Sequence, residues 1–276
     1  PATDVETNGC GEFLASDMMK YVDNARVLGL GETMRFMECC EGEKRMADKL
    51  ELFAKKHIDG HAPGIRGKEV QAYRLAGVEN DHECSTAEEV LDKLRAGLHI
   101  YVREGSGAKN LETLIKTMLD AGVCLDRCAF CTDDKHVEEI RKEGHISTCI
   151  RKAIALGVPV AKAYKMGSYQ AAEFYGLKNY GAIGAGYRAD IVFLDDLEQV
   201  RPLDVMKDGR ILTEEDYAKD YSVPVPDELL HTVHVGEVTK EKIRLSCDGK
   251  TDVIQMNPHQ IVTTHLVEEV PTENGY

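Results

Sequence analysis

The sequence predicts an α/β chain in which a partial (β/α) TIM-like barrel precedes a smaller β-rich domain. Three observations predict it. Five short runs each close on a side chain able to bind a metal: 27–31 on Glu32, 57–60 on His61, 78–81 on His82, 98–103 on Glu104 and 128–132 on Asp133. The steps between those side chains are 29, 21, 22 and 29 residues, each about one strand plus one helix. Past Asp133 the pattern changes: 135–176 is mainly helical in spacing, and short β runs dominate from Gly181 onward. Groups so far apart converge when their strands lie side by side and point the same way, as in a barrel whose chemistry sits at the strand C-terminal ends.

Between the strand candidates the apolar spacing is helical. Met46, Leu50, Phe53 and Ala54 mark a helix within 43–56, and Val70, Tyr73 and Leu75 mark a shorter one that stops at Gly77. Thr86-Ala87-Glu88-Glu89 reads as a capping box, opening a helix that turns Val90, Leu91 and Leu94 inward. Asn110 is placed to cap the next helix, whose Leu111, Leu114, Ile115, Met118 and Leu119 form one stripe ended by Gly122. Further on, 189–194 and 205–207 read as strands, and Asp208-Gly209 reads as a hairpin turn into 210–212. A boundary near 180 divides a barrel over 1–180 from a β-rich domain over 181–276. About five strand–helix units are visible where a closed barrel has eight, so the first strands are expected to lie outside this chain.

Composition narrows the partners. A net charge of −14 without a dense Lys/Arg block argues against nucleic acid or an anionic membrane as partner. No apolar run approaches the roughly 18 residues of a membrane span, and residues 1–6 do not resemble a signal peptide. The nine cysteines are scattered and odd in number, which fits free thiols in a reducing cytoplasm. A homo-oligomer is compatible with this composition.

The candidate chemistry sits at the strand ends. In 57–64, Asp59-Gly60 and Pro63-Gly64 break regular structure on both sides of His61, leaving its imidazole on a turn where it can bind a divalent metal; the alternative is a His that bonds within its loop. His57 lies four residues earlier, but the intervening Asp-Gly forbids the helix that would pair them, so His57 reads as structural. His82 in Asp81-His82-Glu83 comes one βα unit later, where a second imidazole is wanted. Glu32 has two oxygens to share between two ions, or is a surface glutamate after a Gly-rich turn. Asp133 is placed to bind metal and act as general base, or else one of Asp133-Asp134 caps the helix that follows. Two His, a Glu and an Asp together make a hard-to-borderline metal site. Cys124, Cys128 and Cys131 do not read as a zinc cluster, because odd spacing on a strand points Cys128 and Cys131 to opposite faces. His231 and His234 share that problem and read as β-domain surface. Gly181–Gly186 imitates a phosphate loop without the helix that should follow.

Taken in order, several stretches resemble the adenine deaminase family of the amidohydrolase superfamily. They are 27–32, 59–64, Gly67-Lys68-Glu69 with Ala72-Tyr73, 81–83, 103–106, 130–134, 143–146, and the run from Gly181 through Gly186 to Val192. The resemblance covers nearly the whole chain and implies about strands 4–8 of the barrel. It implies that Glu32 bridges two divalent metals, manganese or iron with zinc compatible, that His61 and His82 bind one, and that Asp133 binds the other. It further implies that Asp133 deprotonates a water that attacks C6 of adenine, releasing ammonia and leaving hypoxanthine. Glu83 or Glu104 would protonate the purine or its leaving amine. One departure stands out: the family's His-x-His pair at the first barrel strand is absent here. The chain therefore reads as a partial sequence, expected to have little activity alone. The competing readings are a cyclic-amide hydrolase of the same superfamily, and a non-catalytic remnant that binds only a partner or a purine. Many cyclic-amide relatives hold their metals with a carboxylated Lys, and here Glu32 stands at that strand end.

Overall fold

The computed structural model of the chain describes residues 13–276 except 221, 231–234, 248, 273, 274 and 276. The reading of His231 and His234 lies outside the described residues. After α1 (Ala15–Met18), strands and helices alternate: β1 (Gly29–Thr33), α2 (Phe36–Glu41), α3 (Lys44–Leu52), β2 (His57–Gly60), α4 (Lys68–Leu75), β3 (Asn80–Asp81), α5 (Ala87–Arg95), β4 (His99–Arg103), α6 (Leu111–Asp120) and β5 (Cys128–Cys131). β1 pairs with β2, and β3, β4 and β5 form a second ladder, every pairing parallel. The ladders adjoin where Glu79 N–H donates to the Ile58 carbonyl at 3.0 Å and Gly60 N–H donates to Asn80 Oδ1 at 3.0 Å. A Cβ on Gly60 would lie 2.1 Å from the Asn80 carbonyl oxygen, so this approach requires glycine. The five strands thus run side by side in chain order.

Alternation along each strand separates core from site. Ile100 and Val102 of β4, with Cys128 and Phe130 of β5, pack against Leu111, Leu114, Ile115 and Met118 of α6. Four helices follow β5: α7 (Val137–Glu143), α8 (Ile146–Ala155), α9 (Val160–Gly167) and α10 (Tyr169–Phe174). Of these, α8 and α9 add Cys149, Ala153, Ala163 and Met166 to the same cluster. A second cluster joins Leu30 and Ile58 to Met46, Leu50, Val70 and Tyr73. On the other strand face, Tyr101 and Ala129 meet Phe174 of α10, whose ring centroid is 4.4 Å from that of His99.

Two local expectations need correction. Leu75 is 87 % exposed, because five residues past Val70 is about 140° around a helix of 3.6 residues per turn. Asn110 takes the position before α6 but makes no side-chain cap; its amide donates to Gln260 at 3.1 Å instead. The Thr86–Glu89 capping box is present. Leu114→Ala should therefore cost about 2–5 kcal/mol, whereas Leu75→Ala should stay within about 0.5 kcal/mol. Urea midpoints of the two variants check this directly.

Beyond α10 the pairing becomes antiparallel. β6 (Ile191–Leu194), β7 (Pro202–Lys207) and β8 (Arg210–Ile211) form one sheet. Asp208 and Gly209 turn between β7 and β8 with φ of 50° and 78°, the doubly left-handed geometry of a tight hairpin. After α11 (Glu214–Ala218) and α12 (Asp227–Leu230), β9 (Lys250–Met256) and β10 (Thr263–Glu269) make a hairpin. Its connecting loop returns to the first unit, where Lys109 N–H donates to the His259 carbonyl at 3.1 Å. Among the described residues no helix is long and apolar enough to cross a membrane.

Candidate metal centre

The C-terminal ends of β1, β2, β3 and β5 deliver four of the sequence candidates to one place. Glu32 lies within β1, His61 follows β2, His82 follows β3, and Asp133 stands two residues past β5. Donor atoms of Glu32, His61 and His82 all lie within 4.8 Å of one another, as do those of His82, Glu83 and Asp133. Glu32 reaches His61 Nδ1 at 3.5 Å with one oxygen and His82 Nε2 at 3.2 Å with the other. Glu83 Oε1 stands 3.2 Å from His82 Nε2 and 3.6 Å from His61 Nδ1. Tyr73, fully buried on α4, fixes the pair of strands beneath: its hydroxyl accepts from His61 N–H at 3.0 Å and donates to the Thr33 carbonyl at 2.8 Å.

Charge follows from this crowding. The adjacent His61 imidazole, helped by His82 and Arg103, holds the Glu32 carboxyl below its ordinary range despite partial burial. Burial works against the charged form of His82, but Glu83, Glu32 and Asp81 outweigh it and its pKa is raised. Both shifts are those of acids and bases pressed together.

Glu104 stands in neither donor group. It is the neighbour of Arg103 on the opposite strand parity, buried and ion-paired with Lys152 of α8, and it does not line the cavity beside the cluster. Arg103 takes the inward position. Its guanidinium contacts Glu83 and reaches Asp133 at 2.7 Å and Asp134 at 3.1 Å. Sequence reasoning misses Arg103, although the alternation 99, 101, 103 along β4 carries the signal. The two aspartates divide. Asp133 adopts a left-handed φ of 44°, and its carboxylate meets the same Arg103 nitrogen as that of Asp134. Asp134 does not cap α7, which begins behind His136. Its carboxylate instead accepts from Gly107 N–H at 2.6 Å and from Arg103. Burial opposes the Asp134 charge, and these two donors overcome it, leaving its pKa low.

A cavity of about 560 Å³ opens beside the cluster, within the range that holds small-molecule ligands. Glu32, His82 and Asp133 form one side; Asp59, Tyr101, Phe130 and Tyr175 form much of the rest. The Tyr175 hydroxyl stands 3.0 Å from both oxygens of Asp59, which also accepts from the Asn80 amide. His57 lies apart from the donor groups, bonded through Nδ1 to Glu79 at 2.6 Å. Cys128 packs in the core against Met118, whereas Cys131 faces the cavity.

Residues 41–212 match the model of the amidohydrolase family. The chain belongs to that family. Curated relatives include an adenine deaminase of Desulfitobacterium hafniense (strain Y51), 40 % identical over all of this chain and 48 % of the relative. Adenine deaminase 2 of Carboxydothermus hydrogenoformans is 39 % identical over all of this chain and again 48 % of the relative. This amidohydrolase chain thus spans about half the length of the curated relatives it matches. Among solved structures, a β-aspartyl dipeptidase from Fervidobacterium islandicum AW-1 shares the fold, with a TM-score of 0.54 at 18 % identity over 75 % of this chain and 63 % of that one.

Amidohydrolases work with divalent metal ions, and the residues here fit such an ion. His61 Nδ1 and Glu83 Oε2 are buried without a hydrogen-bond partner among the described residues, in a class of group that is normally satisfied. Imidazole and carboxylate donors converging on one point are what a hard or borderline cation takes.

Proposed function

We propose that this chain forms part of an adenine-deaminating amidohydrolase, which hydrolyses adenine to hypoxanthine and ammonia. The observation that carries this reading is the convergence of Glu32, His61, His82 and Asp133 beside a cavity lined by Tyr101, Phe130 and Tyr175 and large enough for a small molecule. Relatives named adenine deaminase, at about 40 % identity along the whole chain, support the choice of substrate. Within the proposal, β1 to β5 are strands 4–8 of a TIM-like barrel occupying 1–180, and 181–276 is a β-rich domain. Nine scattered cysteines support a cytoplasmic location.

Glu32 would bridge two cations, manganese or iron by the character of the donors, with His61 and His82 on one and Asp133 on the other. The bound ions supply charge that makes water a nucleophile at neutral pH. Asp133 would be the base that accepts the proton of the attacking water. Arg103, 2.7 Å away, keeps the Asp133 carboxylate oriented. Glu83, beside both imidazoles and the Arg103 guanidinium, is the donor that returns a proton to the purine ring or departing amine. Tyr101, Phe130 and Tyr175 would give the flat base apolar surface to lie against.

A chimaera in which this chain replaces the matching stretch of the Desulfitobacterium hafniense adenine deaminase tests the proposal. Supplied with Mn²⁺, it is expected to release ammonia from adenine. Asp133→Asn in the same chimaera should lower kcat by about 10²–10⁴-fold, the usual contribution of a positioned general base. A folded chimaera that leaves adenine untouched would sink the reading. The 276-residue chain alone is expected to show little turnover, since it carries no His-x-His pair.

A further inference from the structure

We propose that Asp81 and Lys93 are positioning residues, a buried ion pair that sets the His61 and His82 turns at the spacing a cation needs. The proposal rests on the metal-centre reading above. Both side chains are fully inaccessible, and Lys93 is among the largest buried groups of the chain. Such a pair is costly to bury and is weak evidence for stability by itself. Its contacts give it a different use.

Asp81 Oδ2 accepts from Ala62 N–H at 2.8 Å, one residue after His61. Asp81 Oδ1 accepts from Glu83 N–H at 2.7 Å, one residue after His82. Lys93 Nζ donates to the Ala62 carbonyl at 2.7 Å and to Asp81 Oδ1 at 3.2 Å. One carboxylate therefore clamps the residue following each imidazole, and one ammonium closes the clamp from α5. The same helix reinforces both turns: Glu89 accepts from Gly64 N–H on the His61 side, and from Ser85 N–H at 2.8 Å and Thr86 N–H at 2.9 Å on the His82 side. β3 is only two residues long, so its ladder alone gives the His82 turn little support. The pair supplies what the strand lacks.

The test uses Co²⁺ alone as a spectroscopic probe of the whole chain, with amide hydrogen exchange as a second, metal-free readout. Asp81→Asn is isosteric but offers one acceptor oxygen in place of two, so one turn must lose its clamp. It is expected to weaken Co²⁺ binding by tenfold or more, to alter the visible d–d spectrum, and to speed exchange at Ala62 or Glu83. Lys93→Met should move all three readouts the same way, while Lys116→Met, which breaks an exposed pair with Glu112 on α6, should move none. If Lys93→Met does not fold, Asp81→Asn decides. A folded Asp81→Asn chain with wild-type affinity, spectrum and exchange overturns the proposal. So does an Asp81→Asn chain that cannot fold, since the pair would then belong to the fold rather than to the turns. Should the wild-type chain itself bind no Co²⁺, the metal-centre reading fails, and the clamp is judged on exchange alone.

Discussion

His82→Ala is expected to weaken Mn²⁺ binding by about a hundredfold or more, near 2.7 kcal/mol. His82 belongs to both candidate donor groups, Glu32–His61–His82 and His82–Glu83–Asp133, and in the proposal its loss removes one of the two imidazoles that hold a cation. Titration of the free-ion electron paramagnetic resonance signal would show it. The companion His57→Ala should leave binding unchanged, because that ring is committed to Glu79. Equal affinity in His82→Ala and wild type would remove the metal centre from this part of the chain.

Arg103→Met should be the most destabilising single change at the site, by about 3–5 kcal/mol. Arg103 is 4 % exposed and stands against three carboxylates, of which Glu83 is almost fully buried. Removing the guanidinium leaves that buried charge with only the two imidazoles beside it. Arg103→Lys should recover only part of the loss, since an ammonium cannot reproduce the planar fork that meets Glu83 and the two aspartates together. Glu83→Gln placed in the Arg103→Met background should restore stability, a coupling that a double-mutant cycle in urea reads directly. A Met variant that melts with wild type would show the three acids to be solvated and independent.

The strand ends are legible in the sequence because a metal-capable residue directly follows each short run, and their even spacing leaves few other topologies. His61 and His82 are legible for the same reason. Glu104 is not, because residues 103 and 104 both look functional and only the parity of β4 says which faces inward. The true inward residue, Arg103, carries the opposite charge from the one sought. Glu83, offered beside Glu104 as a proton donor, stands with the cluster because β3 ends after Asp81: the chain leaves strand geometry, and two consecutive side chains, His82 and Glu83, both reach it. Lys93 on α5 and Tyr175 just past α10 make their contacts across sequence separations that no local pattern encodes.

The adjacent acids Asp133 and Asp134 constrain how this segment can change. The first lines the cavity, where the proposal gives it its chemistry, and the second anchors the 105–107 loop, where a Cβ on Gly105 would fall 1.8 Å from Asp134 Oδ1. Deleting or inserting one residue between Thr132 and Lys135 would exchange tool for anchor, even with every acid retained. A library that varies length here should lose function far more often than one that varies identity at the flanking positions.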